Sequence, residues 1–259
     1  MRIKSILFSL MLMFSLCRAQ NREQNNQKIN LNELSEQFLE RIQQGEDTQE
    51  IQYQLATLDM EFLVASLETD PQKLAFWVNT YNAFIQIILT DNPDLYENRN
   101  SFFSKDQITI AGNEISFDKI EHGILRRSKS KLGLGYVNKG FPDKLERALR
   151  VKKPDYRIHF ALNCGAKDCP PVAIYTPEQL EAQFEKSTSL FLKQSSTFDP
   201  DKKEVYITSL FSWFRGDFGG KDGTRAILKK NGIIPTVEGI GLEYKSYDWT
   251  LKLNNFIEL

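Results

Sequence analysis

The 259 residues contain 2 histidines and 3 cysteines, so few side chains are available for nucleophilic or base chemistry. Neither sign of charge prevails, with 33 Lys+Arg against 34 Asp+Glu. The motifs that announce common enzymes are missing. There is no G-x-S-x-G elbow, no phosphate-binding G-x-x-x-x-G-K-[ST] loop, no H-E-x-x-H and no C-x-x-C pair. Internal repeats and low-complexity tracts are also absent. The 41% hydrophobic and 26% charged residues describe a globular protein and exclude a disordered chain, a collagen and a multi-pass membrane protein.

The N-terminus carries a distinct signal. Arg2 and Lys4 precede the apolar run Ile6–Leu16, and small Ala19 follows, the layout of a secretory signal peptide over residues 1–19. The run is shorter than the roughly 20 apolar residues of a membrane span, so no stable span is expected after cleavage. The expected location is periplasmic or secreted. Cys17 offers the alternative of a lipid anchor, although bulky Leu16 stands where lipoprotein processing wants a small residue. Loss of the leader removes three bases and leaves 30 against 34. It also leaves only Cys164 and Cys169, in a compartment that permits disulfides.

Residues 20–30 are polar and read as a spacer. From Leu31 to residue 259 a single globular domain is expected, of α+β class, with N-terminal helices and a mixed or antiparallel sheet flanked by helices. Leu34, Phe38 and Ile42 recur at helical spacing, and Leu55, Met60, Phe62 and Leu63 continue the helical region. The strongest helix is Lys73–Leu89, on which Asn79, Asn82 and Gln86 form one amide stripe. That stripe either fastens the core or lines a cleft. Residues 107–116 read as a hairpin turning at Gly112-Asn113, and Asp118 with Glu121 as a capping box opening a helix on which His122 and Arg126 share a face. Arg157–Asn163 alternates as a half-buried strand, with Arg157, His159 and Asn163 on its polar side. Helices are expected from Thr176, over Ser209–Phe214 and over Thr224–Lys230. Glu204–Thr208 reads as a strand, and Leu242–Leu253 as a closing strand pair.

The candidate chemistry centres on the segment from His159 to Cys169. A thiol becomes nucleophilic when an imidazole or a cationic field lowers its pKa, and Arg157 and Lys167 could supply that field. Cys164 or Cys169 is then the nucleophile and His159 or His122 the base, oriented by Asn163, Asn79, Asn82 or Glu121. The same two cysteines could instead close a short disulfide or remain inert. Their H-x4-C-x4-C spacing with His159 matches no usual zinc pattern, and no metal or cofactor is expected. Arg126 to Arg157 holds 11 Lys/Arg and 3 acids. A solvated loop accounts for such a run, and an anionic ligand is the alternative. Aromatic interleaving is sparse there, and no nucleic-acid partner is expected.

Three blocks carry a family resemblance: Ala75-Phe76-Trp77-Val78-Asn79-Thr80-Tyr81-Asn82-Ala83, Ile120-Glu121-His122-Gly123-Ile124-Leu125-Arg126, and the run from Arg157 through Cys164-Gly165-Ala166-Lys167-Asp168-Cys169 to Pro170. In this order they resemble the signature of the domain-of-unknown-function family 547, over roughly residues 74–192. The resemblance implies export for a bacterial member and no assigned reaction. Two functions therefore compete. One is a thiol-dependent hydrolase or acyl transferase using Cys169, Cys164, His159 and His122. The other is a non-catalytic module with a Cys164–Cys169 disulfide, holding a small molecule, glycan or peptide in a cleft lined by Asn79, Asn82, Glu121, Arg126, Arg157 and Asn163.

Overall fold

The computed structural model describes residues 29–259. The leader, Cys17 and most of the spacer lie outside the described residues. Ile29 already packs against the core and Asn30 caps the first helix, its side chain accepting from the backbone N–H groups of Asn32 and Glu33. Helices α1 (Leu31–Gln44), α2 (Gln49–Thr57) and α3 (Met60–Ser66) lead into α4 (Asp70–Asp91). A full Thr69/Gln72 capping box starts α4, so the helix begins earlier than its apolar run alone suggests. Most of α4 is buried around its circumference, the pattern of a central helix enclosed by the rest of the fold.

After a 3-10 turn (Pro93–Asn98) and α5 (Arg99–Ser104) comes the expected hairpin, β1 (Ile108–Ile110) antiparallel to β2 (Asn113–Ile115). A short π-helix, Lys119–Leu125, follows. Asp118 does not cap it; its carboxylate pairs with Lys131 and faces His122, which corrects the capping-box reading. Helix α6 (Lys144–Leu149) places Glu146 against Gly123, where a Cβ would stand 3.0 Å from the carboxyl group. Only glycine accommodates that approach without displacing the glutamate.

The segment expected to be a strand is a 3-10 turn, Tyr156–Phe160. Among the described residues no strand pairs with it; Ala161 and Leu162 donate back to the Ile158 carbonyl, and the Asp155 carboxylate accepts from the Arg157 N–H. Local bonding by Asp155 wins over the period-2 pattern because the pattern had no partner strand to pay its backbone bonds. Helix α7 (Leu180–Ser195) leads to a mixed three-stranded sheet of β3 (Thr197–Asp199), β4 (Glu204–Ile207) and β5 (Gly241–Tyr244). Strand β3 is antiparallel and β5 parallel to β4. Helices α8 (Leu210–Trp213) and α9 (Gly220–Lys230) lie between β4 and β5. The architecture is α+β, with helices flanking two small sheets.

The closing strand pair does not form. Beyond β5 the chain runs as a strap over the cysteine loop, held by bonds from Lys167 N to Thr250 O and from Lys252 N to Gly165 O, both 2.8 Å. Loop and strap satisfy each other's backbone groups through isolated bridges at Ala166–Leu251 and Val172–Phe256. Two apolar clusters result. The first is built around α1 and α4, the second around Phe160, Phe191, Val205, Phe211, Phe218 and Leu228. The 3-10 turn stitches them together: Ile158 enters the first, Phe160 the second, and His159 is left at the seam.

Candidate functional site

The amide stripe of α4 fastens the core. Asn79 donates to Tyr175 O at 2.8 Å and accepts from Tyr175 N at 3.0 Å. Asn82 donates to Ala161 O at 2.9 Å and accepts from Asn163 N at 2.8 Å. Gln86 accepts from Asn254 N, and Asn163 itself bridges Pro170 O and Gly165 N. Asn79, Asn82 and Asn163 thus spend their amides on backbone and none of them lines the cavity described next. Arg157 also lies elsewhere. Its guanidinium is held by Asp155, Glu181 and Glu185, three carboxylates that leave it no appetite for an anionic ligand.

A cavity of about 500 Å³ opens where the two apolar clusters meet. One wall is aromatic, with Trp213, Tyr247 and Trp249 in mutual contact; the two indoles stack at 5.5 Å between centroids. The same cavity is lined by Asp118, Glu121, His122 and His159, its polar wall. Cys164 and Pro170 contribute the edge supplied by the cysteine loop. Cys164 and Cys169 are joined in a disulfide, which leaves neither sulfur as a free thiol or a metal ligand. Among the described residues no three His, Cys, Asp or Glu side chains converge as a metal-holding group.

The polar wall is backed by a continuous chain of buried groups. His159 Nε2 lies 2.8 Å from Asp217 Oδ2, and Arg126 Nε donates to the same oxygen at 2.6 Å. Arg126 Nη1 stands 2.8 Å from His122 Nδ1. Because a guanidinium only donates, that nitrogen of His122 accepts and Nε2 carries its proton, directed at Asp118 Oδ1 3.6 Å away. By the same logic the Asp217 carboxylate accepts from His159 Nε2–H, which leaves Nδ1 as the basic nitrogen of His159. The His159 ring stacks on Phe214 at 3.9 Å between centroids, and the Arg126 guanidinium covers that phenyl at 4.7 Å. The imidazole is therefore fixed in tautomer by Asp217 and in plane by Phe214.

Burial sets the charge states. It lowers His159 to about 4, with the nearby Arg126 cation reinforcing the shift and the Asp217 hydrogen bond only partly opposing it. His122 is likewise pushed well below its ordinary value by burial and by Arg126. Both imidazoles are neutral at pH 7. Burial would raise Asp217, but hydrogen bonds from His159 and Arg126 hold it at about 2. Glu121 moves the other way, to about 7, because burial outweighs the attraction of Arg126. Glu121 Oε1 makes no hydrogen bond and lies 3.5 Å from His122 Nδ1, and Arg126 Nη2, behind the lining, is likewise without a hydrogen-bond partner.

The sequence-derived candidates thus divide. His159, His122, Glu121 and Cys164 share the cavity; Arg126 supports it from behind, and Cys169 is buried and bonded to Cys164. Asp217 and the aromatic wall were not among the candidates. Asp217 is 58 residues beyond His159 and belongs to no spacing motif; the one signal in the chain was the density of rings in Trp213–Phe218 and Tyr247–Trp249. In the basic segment, Arg126 is neutralised by Asp217, Lys131 by Asp118, Lys139 by Glu146 and Arg157 by its three carboxylates.

Among the described residues, no helix is long and apolar enough to cross a membrane. No curated protein and no solved structure matches the chain. A family model does match it, over residues 64–192, and its description reads "Protein of unknown function, DUF547". The matched stretch holds α4, the π-helix, both histidines and the disulfide, whereas Asp217 and the aromatic wall lie past its end. By this match and by the three blocks inside it, the chain belongs to the DUF547 family of proteins of unknown function.

Proposed function

We propose that the protein is a ligand-binding module whose cavity takes a small, largely uncharged polar molecule with flat apolar faces, of the carbohydrate type. The observation that carries this reading is that the Trp213–Tyr247–Trp249 cluster shares one cavity with the polar side chains of Asp118, Glu121, His122 and His159. Sugar rings offer C–H faces for aromatic side chains and hydroxyls for an acceptor such as Glu121 and the free Nδ1 of His159. Arg126 and Arg157 are neutralised by carboxylates, and Arg99, which lines the cavity, lies over the Trp249 ring at 5.0 Å. The disulfide, held by the C-terminal strap, stiffens one edge of the cavity.

The test uses the intrinsic fluorescence of the protein, since two of its three tryptophans line the cavity and Trp77 is fully buried. Titration with a panel of disaccharides should give a saturable change that is insensitive to added salt. Trp213→Ala should weaken it roughly tenfold. Absence of any saturable change, or unaltered affinity in that variant, overturns the reading.

A second reading, a thiol-dependent hydrolase or acyl transferase, is favoured by one observation: Cys164 lines the same cavity as His159 and His122. It requires the disulfide to be open. Alkylation of Cys164 in native, unreduced protein would support it, and complete protection would remove it. Both readings place the protein in the periplasm or outside the cell, or on a lipid anchor at Cys17, on the strength of the leader-like N-terminus. The mass of the mature N-terminal peptide separates these three locations from retention in the cytoplasm.

A further inference from the structure

The two sulfurs of the disulfide are placed unequally. Cys164 is partly exposed and lines the cavity, whereas Cys169 is only 3% exposed, at the margin of a separate pocket of about 420 Å³. Cys169 Sγ accepts a hydrogen bond from the Cys164 N–H at 3.0 Å and another from the Tyr247 hydroxyl at 3.3 Å. The same hydroxyl is 3.8 Å from Cys164 Sγ. Burial pushes the Tyr247 phenol up, so its proton stays on oxygen and it remains a donor.

In thiol–disulfide exchange a thiolate attacks one sulfur and the other departs as a thiolate. The rate depends on which sulfur is reachable and on how well the departing charge is received. Here both conditions select the same direction. The more exposed cysteine is Cys164, and the sulfur that would depart already faces two donors. A purely structural crosslink requires neither feature.

We propose that the Cys164–Cys169 bond is a reactive disulfide, opened from the cavity by a low-molecular-weight thiol. The incoming thiolate forms a new S–S bond to Cys164 Sγ as the Cys164–Cys169 bond breaks. The electron pair leaves on Cys169 Sγ, where the Cys164 N–H and the Tyr247 hydroxyl receive the charge. A second thiolate then attacks the sulfur of the first thiol in the mixed disulfide, releasing that pair as the oxidised small-molecule disulfide and leaving Cys164 reduced. Two thiols lose two electrons and the protein disulfide gains them. This goes beyond carbohydrate binding, and neither outcome of the fluorescence titration bears on it.

The experiment exposes folded, oxidised protein to reduced glutathione, quenches in acid, alkylates the free thiols and maps the peptides. The expected product carries glutathione on Cys164 and the alkyl label on Cys169. Tyr247→Phe should slow its formation by about tenfold, the loss of one hydrogen bond to a charged group. As a check that does not involve the tyrosine, Cys169→Ser should take up glutathione from its oxidised form at Cys164, while Cys164→Ser should leave Cys169 unmodified. The proposal is overturned by a disulfide that resists glutathione until denaturant is added, by an adduct on Cys169, by an unchanged rate in Tyr247→Phe, or by equal labelling of the two serine variants.

Discussion

The amide seam of α4 and the histidine wall of the cavity are both polar, both buried and only a few residues apart in sequence at their meeting point, yet they serve opposite ends. In the seam every amide is matched to a backbone partner, as with Asn82 between Ala161 and Asn163. Such groups repay their desolvation and then have nothing left to offer a ligand. The wall assembles Asp217, Arg126, His122, His159 and Glu121, at the far higher cost of burying charge. Of these, Glu121, His122 and His159 border the cavity, whereas none of the seam amides Asn79, Asn82 and Asn163 does. The seam holds the fold together, and the wall is where the proposed ligand would meet the protein.

The largest effect that would test this contrast is on the wall. Asp217→Ala strands the Arg126 cation in the interior and should cost about 3–5 kcal/mol of stability in urea unfolding. A loss comparable to an ordinary surface change would show that the chain of charges is not coupled. Asn82→Leu breaks the seam instead, stranding the Ala161 carbonyl and the Asn163 N–H, and should cost about 2–3 kcal/mol. Saccharide affinity should survive it in the fraction that remains folded, since the seam does not touch the cavity.

The third test is pH. Glu121 sits at about 7, above its ordinary 4.5, so its contribution to stability declines as pH rises from 4.5 to 7. His159 sits at about 4, below 6.5, so its contribution declines as pH falls from 6.5 to 4. His122, also held well below its ordinary value, adds a second slope of the same sign as that of His159, so Glu121 offsets only one of the two and the wild type should still gain stability as pH rises through the shared window. Glu121→Gln removes the opposing slope, and the variant should gain on the order of 2 kcal/mol more than the wild type as pH rises through that window. A flat profile in the variant would mean that neither histidine is held neutral by burial. The smallest effect belongs to the disulfide. Its loop is short, and replacing both cysteines by serine should cost about 2 kcal/mol or less.

How much of this was legible in the chain depended on the range of the interactions involved. The presence of α1, α4, the β1–β2 hairpin and the short helices near Trp213 and Ile227 follows from apolar period and turn residues acting within a few positions, whereas the start of α4 at its Thr69/Gln72 capping box does not follow from the apolar run. The pairing of Cys164 with Cys169 was one of the open alternatives, because five residues of separation permit a bond without requiring it. Arg157–Asn163 misled for a long-range reason. Its alternation does bury Ile158 and Phe160, but in two different cores, and a 3-10 turn achieves this where a strand would have needed a neighbour.

By itself, then, the sequence determined the α+β class, the helix that forms the centre of the fold, the family, and the short inventory of His and Cys from which any chemistry must draw. Those features arise from local propensity and from composition, which a linear chain expresses directly. Tertiary structure alone decided that Asp217 meets His159, that Trp213 and Trp249 line one cavity with the histidines, and that the amides of α4 are matched to backbone. Each of these depends on segments tens of residues apart being brought into contact, and on burial that sets charge only once the contact exists.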